Sequence, residues 1–182
     1  GKFSKNIGKN NTVFQLLKLL DERKLLKNKK FQIKIIKKIP NKAGLGGGSM
    51  NAANILRYFY NNKIIKSNKK KIFEICRLIG SDVILGLNTK SLVLTSNNKI
   101  KFFKNFKKMH ILITKPNFGC STSLIYSKVK RFDKPNFNSP TKKMFNYDYL
   151  TKMKNSLEPI ALTEYSKLKT MKLFIKNFLN PV

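Results

Sequence analysis

Residues 44–48 read Gly-Leu-Gly-Gly-Gly, and an apolar pattern of helical period starts within a few residues of them. Four of the chain's nine glycines fall in those five positions. Glycine in quantity means that the backbone turns tightly, or that something approaches it closely. The segment before the run alternates and the segment after it has a period near 3.6. The chain must therefore pass from an extended segment to a helix through a glycine corner. A glycine loop that feeds a helix N-terminus is also a ready anion site.

The flanking segments carry the rest of the expectation. In "NTVFQLLKLLDERKLLK" (11–27), Val13, Leu16, Leu17 and Leu20 recur at helical spacing, and Asn11 or Thr12 can cap the start. "FQIKIIKKIP" (31–40) alternates Phe31, Ile33 and Ile35 with polar residues, as a half-buried strand does, and Pro40 stops it. Ala52, Ile55, Leu56 and Phe59 make 50–61 an amphipathic helix. A further helix is expected at 69–79 on Ile72, Cys76 and Ile79, ended by Gly80 in a left-handed cap. "SLVLTSNNKIKFF" (91–103) reads as two strands around an Asn-Asn turn. "MHILITKP" (109–116) reads as another strand, 121–130 as a helix, 131–147 as a loop, and roughly 147–157 and 164–179 as helices. Strands interspersed with helices predict an α+β (α/β) fold. The basic stretch before residue 108 is the expected domain junction.

Composition narrows the function. Apolar residues make up 41% of the 182, enough for a core, and no run reaches the length of a membrane span. The formal charge is +31, from 39 Lys+Arg against 8 Asp+Glu. Such a surface attracts polyanions. The basic residues are nearly all Lys, though, spread evenly among Asn, Ile and Phe, a set encoded by A/T-rich codons. They lack the Arg content and clustering of nucleic-acid readout. Cys76 and Cys120 stand alone and far apart, so neither a zinc site nor a disulfide framework is indicated, and a reducing cytoplasm fits. His110, the only histidine, sits in an apolar run, which disfavours histidine triads and metal clusters. The opening "GKFSKNIGKN" has no Met and no apolar signal core, and a truncated chain is expected.

Three phosphate-loop patterns can be compared with residues 40–50. A Walker A loop needs a Lys after the last glycine, and none follows. A dinucleotide fingerprint needs its third glycine at 49, where Ser49 stands, and an acidic residue about 20 positions on, which is missing. The third pattern is P-x-x-A-G-L-G-G-G-S, which Pro40 to Ser49 reproduce position for position. Its physical sense is direct. Consecutive glycines let successive amides point into one concavity, and the following helix adds its positive end.

That third pattern is the loop of the GHMP small-molecule kinases, and the chain resembles this family along nearly all of its length. "IGSDVILGL" (79–87), "PNFGCSTSLIYSKV" (116–129) and "NSLEPIA" (155–161) are similar to further segments of the family, in the family's order. The resemblance implies a two-domain GHMP kinase fold, incomplete at both ends. Residues 1–107 would be part of the ATP-binding domain and 108–182 part of the substrate-binding domain. It also implies ATP and Mg²⁺, with ATP held by Pro40, Asn41, Lys42, Ala43, Gly44, Leu45, Gly46, Gly47, Gly48, Ser49 and Met50. Asp82 matches the catalytic aspartate, a base that accepts the proton of an acceptor hydroxyl. Read without the family, Asp82 in "GSDV" is a helix cap. Tyr126 matches an aromatic that stacks on a cytosine ring, with Thr122 on the same wall. The closest resemblance is to members that phosphorylate a hydroxyl of a cytidine-diphosphate sugar alcohol on the way to isoprenoid precursors. Other readings are a GHMP kinase of different substrate and a basic RNA-binding module. A small-molecule substrate is expected as partner, with neither nucleic acid nor membrane, in the cytoplasm.

Overall fold

The computed structural model describes residues 2–3, 7–104, 110–135 and 138–179. They form two compact units, one of residues 1–41 and 45–90, the other of 42–44 and 91–182. The junction expected at 107/108 lies outside the described residues. Among the described residues the sheet content is a single two-stranded ribbon and everything else is helix or coil, so the fold is α+β.

The first unit is three helices and a short turn of 3₁₀ helix. Helix α1 (Thr12–Glu22) is capped by Asn11, whose side chain accepts the amides of Val13 and Phe14. It ends five residues before the expected stop. Leu25 N–H donates to Leu20 O and Lys24 N–H to Asp21 O, with Lys24 at φ +56. This is a Schellman closure with Lys where Gly is usual, which the apolar pattern does not announce. Helix α2 (Gly47–Asn61) starts three residues earlier than its pattern suggested, inside the glycine run. It closes the same way as α1, with Lys63 at φ +55 and Ile64 N–H on Phe59 O. Helix α3 (Lys69–Ile79) is capped by Asn68, which accepts from the Lys71 amide.

The core of this unit joins Val13, Leu16 and Leu20 of α1 to Ala52, Ala53, Leu56 and Phe59 of α2 and to Ile72, Ile75 and Cys76 of α3. Val83 and Ile84 complete it from the segment after α3. Ile75, not Ile79, takes the inward position on α3. Gly80 does not form the expected left-handed cap. Its φ of 164 is extended backbone, and α3 ends with Gly80 N–H on Cys76 O.

Residues 31–38 keep the alternation read from the sequence, half-buried at odd positions and exposed at even ones. Phe31 meets Phe59 of α2 with ring centroids 4.5 Å apart. Yet among the described residues no strand forms there, because a strand is defined by a ladder and the one bond among them is Phe3 N–H to Lys37 O at 3.4 Å. Residues 110–116 likewise have no ladder among the described residues; Met109 lies outside them.

In the second unit β1 (Leu92–Leu94) pairs antiparallel with β2 (Ile100–Phe102), Leu94 opposite Ile100. The turn between them places Asn98 at φ +59, as the Asn-Asn reading required. The helix expected at 121–130 is the shorter α4 (Thr122–Ser127). The 131–147 loop holds a 3₁₀ turn at Lys142–Phe145. The remaining chain gives α5 (Tyr147–Thr151), α6 (Glu158–Glu164) and α7 (Ser166–Leu179). The helix expected at 147–157 is the shorter α5, and α6 is an additional helix in the interval before 164–179, with Pro159 in its first turn, where the missing N–H costs nothing.

Candidate active site

The glycine loop is a sequence of left-handed residues: Lys42 at φ +51, Gly44 at +69 and Gly46 at +62. Gly46 is the N-cap of α2 and its carbonyl takes the first helical bond, from the Met50 amide at 2.9 Å. A glycine cap has no side chain to offer. The amides of Gly46, Gly47, Gly48 and Ser49 therefore have no acceptor among the described residues. Four open donors at the positive end of a 15-residue helix can hold an anion.

Three close approaches surround this cradle. A Cβ at Gly48 would lie 3.0 Å from Thr12 Oγ1, so the glycine lets α2 press on the first turn of α1. A Cβ at Gly47 would meet Ile39 at 3.6 Å. At Gly46 the nearest atom to a built Cβ is Asp82 Oδ2, at 4.0 Å. The carboxylate that the family pattern singles out thus stands beside the first amide of the cradle.

The segment carrying Asp82 explains that placement. Val83 and Ile84 are buried, while Asp82 between them and Ser81 is exposed. Val83 N–H donates to Gly80 O and Leu85 N–H to Asp82 O, leading into a 3₁₀ turn at Leu85–Leu87. That turn packs on α2 at Gly86, where a Cβ would sit 2.5 Å from Ala53 Cβ and 3.0 Å from Met50 Sδ. Gly80 approaches Ser49, whose Oγ is 3.9 Å from its Cβ position. The helix-cap reading of Asp82 finds no support: its one partner among the described residues is Ser81 Oγ, 3.4 Å from Oδ1, and no backbone amide donates to it. The side chain of Met50 reaches Gly86, its Sδ 3.0 Å and its Cε 3.1 Å from the Cβ position there.

In the second unit Thr122 opens α4 and Tyr126 lies on its exposed side, 60% accessible, while Ile125 turns inward. Lys42, from the glycine loop, accepts the Cys120 amide at its carbonyl, 3.1 Å. Neither Gly86 nor Tyr165, which bonds the Ser121 amide, was singled out by sequence reasoning. Their contacts join residues more than 30 positions apart, and no local pattern signals them.

Burial pushes the Cys76 thiol up to about 12, and His110 is exposed on an extended segment. Among the described residues no group of three His, Cys, Asp or Glu could hold a metal, and no helix is long and apolar enough to cross a membrane.

Comparison with known proteins identifies relatives of the chain. Residues 11–90 match the family described as GHMP kinases N terminal domain, stopping where the first compact unit stops. A protein of Pelagibacter ubique named 4-diphosphocytidyl-2-C-methyl-D-erythritol kinase is 54% identical over 99% of this chain and 64% of its own length. Proteins of the same name from Petrotoga mobilis and Clostridium botulinum are 31% and 32% identical, over 90% and 78% of this chain and 66% and 53% of theirs. The chain thus spans under two thirds of the length of these relatives. No solved structure matches it significantly. The chain belongs to the GHMP kinase family.

Proposed function

We propose that the chain provides the ATP-binding cradle and base of a kinase that phosphorylates the 2-hydroxyl of 4-diphosphocytidyl-2-C-methyl-D-erythritol, in the methylerythritol phosphate route to isoprenoid precursors. The observation that carries this reading is the Asp82 carboxylate, 4.0 Å from the Cβ position of Gly46, beside four open amides. The names of the relatives supply the substrate.

In this reading the amides of Gly46 to Ser49 and the end of α2 hold the terminal phosphates of ATP. Asp82 takes the proton of the acceptor hydroxyl as its oxygen bonds the γ-phosphorus and the bond to ADP breaks. The loop from Pro40 to Met50 follows the nucleotide, with Lys42 and Gly44 turning the backbone. Mg²⁺ supplies charge neutralisation on the phosphates. Tyr126 stacks on the cytosine, with Thr122 beside it. Residues 1–107 and 108–182 then belong to the two domains of the family's fold, acting in the cytoplasm.

The test is a coupled ADP-release assay on the full gene product carrying this chain. ADP should appear only when the cytidine-diphosphate substrate is added, and Asp82→Asn should abolish turnover while ATP still binds. ADP release that ignores the substrate, or full turnover by the variant, would overturn the proposal.

A further inference from the structure

The residues expected to meet the cytosine, Thr122 and Tyr126, lie on α4, a helix of six residues. So short a helix has no stability of its own. Its position must come from what grips it.

Two grips come from consecutive residues at the junction of α6 and α7, Glu164, which ends α6, and Tyr165, which follows it. At the N-terminus, the Ser121 amide donates to Tyr165 Oη at 2.8 Å, and the Tyr165 ring stacks on Phe118 with centroids 6.1 Å apart and planes 14° apart. At the C-terminus, Lys128 Nζ lies 3.8 Å from Glu164 Oε1, an exposed pair of little worth by itself. Tyr165 is held in turn: its amide donates to Ala161 O, closing α6, and its carbonyl accepts the Leu168 amide of α7. A hydroxyl and a ring on one side chain thus fix two points of the 118–121 approach to α4. The Tyr165 contacts bridge 44 residues of chain.

We infer that Tyr165 is a positioning residue for the nucleobase wall: it fixes the start of α4 and so sets where Tyr126 stands, without touching the substrate itself. The inference rests on the proposed role of Tyr126. It gives the pyrimidine end of the site a support separate from the phosphate cradle. Losing that support should weaken binding of the cytidine moiety and leave ATP alone.

The experiment measures binding of cytidine 5′-diphosphate and of ATP to this chain by calorimetry, with amide hydrogen exchange at Ser121. Tyr165→Phe keeps the ring and removes the acceptor. It should weaken CDP about fivefold, the worth of one hydrogen bond, speed Ser121 exchange, and leave ATP affinity within error. Phe118→Leu, which keeps the hydroxyl and removes the stack, should act in the same direction. Equal losses of CDP and ATP affinity would make Tyr165 a general stabiliser and overturn the inference. CDP binding untouched by both substitutions would overturn it alone, leaving the proposed function standing. No CDP binding by the unsubstituted chain would overturn the substrate reading, and the inference with it.

Discussion

Gly86 is where the structure places its tightest demand. A Cβ there would fall 2.5 Å from Ala53 Cβ, whereas carbon atoms rest at about 3.5–4.0 Å. Ala53 Cβ is bound to the backbone of α2 and has no torsion to relieve the overlap, so Gly86→Ala must push the 3₁₀ turn off the helix. Overpacking of this kind costs about 1–3 kcal/mol, and the rigidity of both partners puts it near the top, about 3 kcal/mol. Ala53→Gly alone should cost about 2 kcal/mol: about 1 for glycine in a helix interior and about 1 for the lost buried methyl. If the two acted independently, the double variant would lose about 5 kcal/mol. Because Ala53→Gly removes the closest clashing atom, and the next, Met50 Sδ at 3.0 Å, sits on a flexible side chain that can shift, the double variant should lose only about 2–3 kcal/mol, a coupling of about 2–3 kcal/mol. Urea unfolding followed by circular dichroism at 222 nm measures all four proteins. A Gly86→Ala loss under about 0.5 kcal/mol, or additive losses in the double variant, would refute the packing described. Since Asp82 lies one turn before Gly86, the single variant should also lower turnover, and the double variant should recover part of it.

Two further outcomes follow from the loop and the core. Gly44→Ala and Gly46→Ala both force an L-residue into the left-handed region and should each destabilise by about 1–2 kcal/mol. At Gly44 nothing lies within 4 Å, but at Gly46 the methyl faces Asp82, so only Gly46→Ala should weaken ATP by a further tenfold or so; equal effects by titration calorimetry would contradict this. Burial holds the Cys76 thiol protonated up to about 12, against 9.0 for the free side chain. Iodoacetamide at pH 8 should label the partly exposed Cys120 first, read by mass spectrometry, with Cys76 protected until unfolding. Since the folded-state value is raised, stability from this group is complete below pH 9 and falls between pH 9 and 12, as the unfolded thiol ionises first. Stability that rises through that window in a Cys76→Ala-corrected comparison would contradict the burial.

What the sequence made legible was local. The glycine run, the period of Ala52, Leu56 and Phe59, the Asn11 cap and the Asn98 turn all follow from single-residue conformational preferences. The end of α1 was not legible, because Lys24 occupies a left-handed closure where glycine is the usual sign, whereas the ends of α2 at Asn61 and α3 at Ile79 fall where the pattern put them. The expected strand at 31–40 shows why pattern alone falls short: its alternation is present, but a ladder needs a partner, and alternation says nothing about one. The site divides in the same way. The cradle could be read from consecutive glycines, and Asp82 was marked by a family pattern. That Asp82 comes beside Gly46 depends on Gly86 fitting against Ala53, and that α4 stays in place depends on Tyr165. Both are long-range contacts with no local signature.

In the proposed function the amides of Gly46 to Ser49 grip the terminal phosphates of ATP next to Asp82. Amide NMR of the ¹⁵N-labelled chain during titration with ATP and Mg²⁺ tests it most directly. Saturable downfield shifts are expected at these four amides with one common affinity, and a smaller shift at Asp82. Saturation of ATP binding with these amides unmoved, while others shift, would contradict it.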